Sequence, residues 1–117
     1  MKLTETNFRD VLPVDGYGPG FFRIGGDRHD GGLLLHGKHR AQWDGFDDLS
    51  PLTDLAEHID VLLLGMGAQM AHPPAELRSA LETAGIGVEP MPTPSACRSY
   101  NVLLGEGRRI ALAAIPI

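Results

Sequence analysis

The chain has 117 residues, of which 43% are hydrophobic, and a formal net charge of −5 at pH 7. This length predicts one domain, residues 1–117, with enough apolar side chains for one core. The acidic balance argues against a nucleic-acid binder, because phosphate contacts need a surplus of Lys and Arg. The single cysteine rules out an intramolecular disulfide and fits a reducing compartment, so we expect a cytoplasmic protein.

No stretch of the chain predicts a membrane-spanning segment or a targeting signal. The longest apolar run, Ile110 to Ile117, is far too short to cross a bilayer. Residues 1–10 have neither the apolar core of a signal peptide nor the amphipathic pattern of a mitochondrial presequence. We therefore expect a protein that does not span a membrane.

The N-terminal third of the chain predicts an irregular lead-in and then a hairpin. Residues 1–16 form the lead-in, with a short edge strand around Val11 to Val14, and glycine and proline in residues 15–20 preclude a long regular element. The apolar runs 21–24 and 33–36 flank a Gly- and Asp-rich connection, which predicts an antiparallel hairpin with a wide loop. After it, the segment His39 to Trp43 either extends the second strand or adds a short third one.

Helix signals and strand signals alternate from residue 50 onward. Ser50 suits the N-cap of a first helix and Pro51 its first position, and the apolar period runs from Leu52 to Ile59. A second helix should open at Pro73 or Pro74 and end at Gly85. A third helix, capped by Thr93 or Ser95, has an apolar side that consists of Ala96, Cys97, Tyr100, Leu103 and Leu104.

Two apolar runs, 61–64 and 109–115, predict strands that are covered on both sides, and a further strand is expected at 86–91. The order hairpin, α-β-α-β-α-β predicts an α/β fold, which is a three-layer domain with helices on both faces of a mixed sheet. We expect about five strands in the sheet plus the N-terminal hairpin. The C-terminal strand, apolar on both faces, should be central.

The turn Gly65-Met66-Gly67 follows a predicted buried strand, where α/β sheets often bind ligands. Two glycines would let the backbone approach an anion near the next helix N-terminus. The dinucleotide fingerprint fails, because Met70 stands where the third glycine belongs. The alternative is a tight turn with a purely structural role.

Cys97 would lie in the first turn of the third helix beside Arg98, and both features favour a reactive thiolate. The alternative is a buried thiol that behaves as a small hydrophobe, because the residue is on the apolar side of the helix.

The histidines His36 and His39, with His29 and Asp27, offer zinc ligands without a recognised spacing. We expect neither a metal nor another cofactor.

Near the third helix, the charges predict an ion-pair network, an anion pocket or simply solvated side chains; the residues are Arg98, Glu106, Arg108 and Arg109. Tyr100 should pack with its hydroxyl satisfied. Asn101 is a poor helix former, and its side chain should bond to a loop. No Gly-x-Ser-x-Gly elbow or paired carboxylates are present, so no enzyme signature emerges.

A set of short motifs extends from about Tyr17 to the C-terminus: 20-GFF-22, Leu64-Gly65-x-Gly67, 74-PAELR-78, 85-GIGVEPM-91, 93-TPSACRSYNVL-103 and 106-EGRRIA-111. With these motifs, the chain resembles a small domain-of-unknown-function family. That family includes the mitochondrial assembly factor for respiratory complex I and an adipogenesis-associated vertebrate protein. The resemblance implies a three-layer fold with a central last strand and an assembly role in one branch, but no reaction.

The leading functional prediction is a non-enzymatic protein-binding or assembly-helper module with a protein partner. Its predicted binding residues lie near strand and helix ends: Gly65, Met66, Gly67, Arg98, Tyr100, Asn101 and Arg108. The alternative is a small-molecule or anion-binding protein, or a thiol-dependent enzyme, that uses the same glycine turn and Cys97.

Overall fold

The computed structural model describes residues 11–117. Strands and helices follow one another there as β1 (Val14–Gly18), β2 (Phe21–Ile24), β3 (Asp27–Asp30), β4 (Leu33–His36), β5 (His39–Gln42), α1 (Ser50–Thr53), β6 (Val61–Gly65), α2 (Ala75–Thr83), β7 (Gly87–Met91), α3 (Thr93–Gly105) and β8 (Ile110–Ala114). The first three strands form an antiparallel sheet of their own, in the order β1-β2-β3.

The larger sheet is mixed, with the strand order β5-β4-β8-β6-β7. Strand β8 pairs antiparallel with β4 on one side and parallel with β6 on the other. All five residues of β8 are buried, because helices or strands cover both faces of this central strand. The predicted mixed five-stranded sheet and its central C-terminal strand are thus confirmed.

Each face of the larger sheet has its own apolar core. On one face, α3 packs together with the inner side of the three-stranded sheet, through Val14, Phe22, Ile24, Ala96 and Tyr100 among others. On the opposite face, a second core contains Trp43, Leu52 of α1, and Leu77 and Leu81 of α2. Helices therefore cover both faces, as the sequence predicts.

The predicted pairing of the two N-terminal apolar runs was wrong. Strand β2 pairs with β1 and β3, whereas β4 pairs with β5 and β8 in the other sheet. Gly25 and Gly26 both have positive φ, 58° and 86°, so the chain reverses directly after β2 and forms β3 within the expected wide loop. Of the two alternatives for the segment from His39, the short third strand is observed, as β5.

Two further boundaries differ from the prediction. Strand β1 starts at Val14 and runs through the glycine-containing stretch that was expected to be irregular; residues 1–10 of the predicted lead-in lie outside the described part of the chain. The first helix has only four residues, with Leu49 rather than Ser50 at its N-cap. Thr53 and Asp54 are poor helix formers, so the chain continues in turns that still bury Ile59.

Candidate functional site

Thr93 ties together three chain segments where the parallel strands end. Its fully buried hydroxyl accepts a hydrogen bond from the Gly67 N–H at 2.8 Å and donates one to the Ile115 carbonyl at 2.7 Å. Its own N–H donates to the Gly67 carbonyl at 2.7 Å. The prediction that Thr93 or Ser95 caps α3 was therefore wrong. Pro92 is at the N-cap, and no side chain makes a capping bond.

The glycine turn after β6 packs closely against this threonine. A Cβ atom on Gly65 would lie 2.7 Å from Thr93 Oγ1 and 2.8 Å from Ala114 Cβ. The Met66 N–H donates to the Met91 carbonyl at 2.9 Å, and the Gly67 N–H is already used by Thr93. Because these two amides are bonded within the protein, neither is available to hold an anion in this conformation. This geometry matches the structural alternative for the turn.

Cys97 lies inside the α3 core, with 2% of its surface exposed. Burial raises the pKa of its thiol to about 12, against a smaller opposing effect of the Arg98 charge. A thiol with such a pKa is neutral near pH 7 and is a poor nucleophile. The position and the protonation state both fit the hydrophobic role rather than the reactive one.

Tyr100 is fully buried in the same core, and its hydroxyl has no hydrogen-bond partner among the described residues. The expectation of a satisfied hydroxyl was therefore wrong. The apolar neighbours from both sheets and α3 contribute no acceptor to that position. Burial also raises the pKa of the Tyr100 phenol well above its ordinary value.

Replacing Tyr100 with phenylalanine is expected to raise the free energy of unfolding by about 1 kcal/mol, because the variant no longer buries an unpaired hydroxyl. Urea denaturation followed by circular dichroism measures the change. Tyr17→Phe is the control, since Tyr17 is 37% exposed and its hydroxyl can bond to water. A loss of 1 kcal/mol or more in Tyr100→Phe would show that the hydroxyl does have a partner.

Asn101 joins α3 to the smaller sheet. Its Oδ1 accepts from the Val14 N–H and its Nδ2 donates to the Val14 carbonyl, both at 2.8 Å. The side chain thus pairs with β1 as a neighbouring strand would. The prediction that Asn101 bonds outside its helix is confirmed, but its partner is the first residue of a strand rather than a loop.

The outward side of α3 has a shallow groove of about 310 Å³. We call it the α3 groove and define it by Arg98, Ser99, Val102 and Leu103. Val102 is 61% exposed, more than any other large hydrophobic residue in the described part of the chain. Arg98, one helical turn earlier, makes only a 3.4 Å hydrogen bond to Ser95. The sequence reasoning missed Val102 as a site residue, although its position four residues after Arg98 places both on the outer side.

The predicted binding residues do not form one surface. Gly65 to Gly67 lie where the parallel strands end, whereas Arg108 precedes β8 at the opposite end, where its N–H donates to the Leu103 carbonyl. The 13 residues of α3 separate these ends by about 20 Å. Arg98 lies between them on the outer side of the helix, and Tyr100 points into the core. The glycine turn and Arg108 therefore cannot bind one small ligand together.

The charged side chains form no larger network in residues 11–117, and the predicted zinc ligands do not form a metal site there. Arg109 pairs with Asp60 at 3.5 Å, and no salt bridge of Arg98, Arg108 or Glu106 is found there. His29 Nε2 lies 2.7 Å from the Gly32 carbonyl in the smaller sheet, away from His36 and His39. Within the same range, no group of three or more His, Cys, Asp or Glu residues has the geometry of a metal site.

The chain is similar to proteins of bacteria and animals. It is 55% identical over 117 residues to an uncharacterized protein of Rhodobacter capsulatus, covering all of this chain and 94% of that protein. It is 28% identical over 123 residues to the rat NADH dehydrogenase [ubiquinone] 1 alpha subcomplex assembly factor 3. That match covers 99% of this chain but only 66% of the rat protein.

Among solved structures, the chain matches the crystal structure of an outer membrane protein from Bartonella henselae. The TM-score is 0.83 at 31% identity, over 94% of this chain and 98% of that one. In the part of our structure that is described, no helix combines the length and apolarity needed to cross a membrane.

The family model described as Protein of unknown function (DUF498/DUF598) matches residues 14–115. The chain therefore belongs to the DUF498/DUF598 family, as the motif resemblance indicated.

Proposed function

We propose that the protein is a non-enzymatic assembly helper that binds a protein partner through the α3 groove. The observation that carries this proposal is the exposed Val102 in a groove beside Arg98. Covering a large apolar side chain that is exposed to water lowers the free energy, so it favours binding. Arginine is also enriched in the binding surfaces of proteins. We include a cytoplasmic location in the proposal.

The relatives support a helper role. The rat protein named as an assembly factor aligns with 99% of this chain, so the shared part contains the whole α3 groove. Its name makes NADH dehydrogenase the first complex to test as a target. This chain spans 66% of the rat factor, so the proposal concerns only the part that the two proteins share.

No observation on the described residues favours the small-molecule or thiol alternative. The glycine-turn amides are bonded within the protein, and Cys97 is buried with a raised pKa. Of the binding residues predicted from the sequence, the proposal keeps Arg98 as a direct contact and adds Val102. Asn101 supports this surface from the side, because it holds β1 against α3.

The test is complementation of a host strain that lacks the gene. We expect less assembled NADH dehydrogenase on native gels of its membranes, restored by the wild-type protein but not by Val102→Asp. A buried aspartate at the partner surface should weaken binding by about tenfold or more. Ser79→Asp, which adds the same charge to an exposed position of α2, is the matched control and should restore assembly.

A photo-crosslinking residue at position 102 identifies the partner directly in cells. We expect crosslinks to a subunit of the complex from position 102 and none from position 79. Equal complementation by Val102→Asp and the wild type, with both proteins folded, would contradict a role of the α3 groove. Normal assembly in the deletion strain would rule out NADH dehydrogenase as the target.

A further inference from the structure

Three of the five histidines lie close together on the α2 side of the larger sheet. His36 and His39 are directly opposite each other at the end of the β4–β5 hairpin. The ring of His58 lies 5.9 Å from the ring of His36, centroid to centroid, at an angle of 47°. We call these residues the histidine cluster. They come from β4, β5 and the α1–β6 connection (residues 54–60), three segments that meet only in the folded protein.

The α1–β6 connection is fixed to the sheet at its last residue, where the Asp60 N–H donates to the Arg109 carbonyl and the Asp60 carbonyl accepts from the Gly87 N–H, both at 2.9 Å. Ile59 is buried, and Leu55 and Ala56 are partly buried against the same core. Arg109, next to β8, donates to the Glu57 carbonyl at 3.3 Å and pairs with Asp60 at 3.5 Å. Backbone bonds within the connection are those of single turns, such as His58 N–H to the Leu55 carbonyl at 2.8 Å.

The charged groups around His36 give little compensation for a positive charge on its ring. His39 and His58 both become cations on protonation, and Lys38, in the hairpin turn, already is one. On the connection, Arg109 pairs with the Asp60 carboxylate at 3.5 Å, and the other two acids of that segment are Asp54 and Glu57. Protonation of the cluster therefore places like charges on both sides of the contact between hairpin and connection.

We propose that the histidine cluster is a proton-sensitive latch: mild acidification releases the α1–β6 connection from the β4–β5 hairpin while the larger sheet stays folded. The device is local, because its residues belong to β4, β5 and the α1–β6 connection, whereas the α3 groove is formed by α3 on the opposite face of the larger sheet. Release exposes Ile59, the buried apolar side chain of the connection.

The sign of the pH dependence follows from His36. Burial lowers the pKa of His36, and the charges of His58 and His39 lower it further. The folded protein then binds fewer protons than the unfolded chain below the ordinary histidine pKa of about 6.5. The latch is fully effective above that pH and weakens as the pH falls through the lowered pKa.

Hydrogen exchange of single backbone amides, measured by NMR and corrected for intrinsic rates, tests the proposal. We expect the opening equilibrium constant of amides in residues 55–59 to be at least about threefold larger at about pH 5.5 than at about pH 7.5. This expected change is small because solvent weakens the repulsion between partly exposed charges. The amides of β6 should not change over this range. His58→Gln should reduce the increase and raise the pKa of His36 in the same spectra, because it removes the His58 charge but not the burial of His36.

His72→Gln is the matched control, because His72 is exposed on the loop before α2 and outside the cluster. It should keep the full pH dependence of the wild type. All buffers contain EDTA, so that metal binding to imidazoles does not contribute. Equal opening of β6 and the connection would overturn the proposal, because it would indicate global acid unfolding. An unchanged pH dependence in His58→Gln would overturn it as well.

Discussion

Replacing Thr93 with valine is expected to lower the free energy of unfolding by about 2–3 kcal/mol. Valine has nearly the same shape as threonine but cannot bond to the Gly67 N–H or the Ile115 carbonyl. The Gly67 amide is buried, so no water replaces the lost partner. Urea denaturation at several wavelengths measures the change and checks that unfolding remains two-state.

Thr93→Ser is the control for this substitution, because it keeps the hydroxyl and removes one methyl group. We expect a loss of about 1 kcal/mol from the methyl group alone. Thr93→Val and Thr93→Ser should therefore differ clearly, with valine the more damaging change. If valine were tolerated as well as serine, the hydroxyl would not be what joins the three segments.

Replacing Gly65 with alanine is expected to destabilise the protein by about 2–3 kcal/mol, because the added methyl group overpacks a closed site. Its two nearest neighbours would be Thr93 Oγ1 at 2.7 Å and Ala114 Cβ at 2.8 Å. Both residues are fully buried, and neither has a flexible end that can move aside. The midpoint of urea denaturation should fall without a large change in its slope.

Gly87→Ala is the matched control, since Gly87 lies in β7, the parallel strand next to β6. A Cβ atom there would meet the Asp60 carbonyl and the Val61 side chain at 3.6 Å, an ordinary contact distance. We expect its stability to stay within about 0.5 kcal/mol of the wild type. A similar loss in both variants would mean that close packing does not explain the glycine at position 65.

Together, Thr93→Val and Gly65→Ala distinguish a structural role of the glycine turn from a binding role. If Gly65 and Gly67 serve packing around Thr93, the variants lose stability, and partner binding by the remaining folded protein is unchanged. If the turn is instead a binding site, Gly65→Ala should reduce binding in conditions where the protein is still folded. Measuring both quantities on the same samples distinguishes the outcomes.

Much of the fold was predictable from local patterns. Uninterrupted apolar runs such as 61–64 indicate strands covered on both faces, and β6 and β8 have that environment. The second helix ends before Gly85, which has a positive φ of 88° as predicted. In α3, the residues predicted to share one apolar side are the ones that pack against the larger sheet.

The errors occurred where pairing or length depends on distant partners. An apolar run such as 21–24 has the same appearance whichever sheet it joins, and the double glycine that follows it decided the outcome. The local pattern predicted a helix cap at Thr93 or Ser95. The Thr93 hydroxyl instead bonds to Gly67 and Ile115, which are 26 and 22 residues away in sequence. The unsatisfied hydroxyl of Tyr100 is likewise a property of its neighbours and not of its own segment.

The class of fold, the central position of the last strand and the family were predictable from local patterns, because hydrophobic period, turn residues and motifs are local properties. Which candidate residues meet depends on the folded structure. It placed the glycine turn and Arg108 at opposite ends of the sheet, buried Cys97 and left Val102 exposed beside Arg98. It also assembled the histidine cluster from three segments. These relations depend on distances between residues far apart in the chain, and strand order and helix direction set those distances.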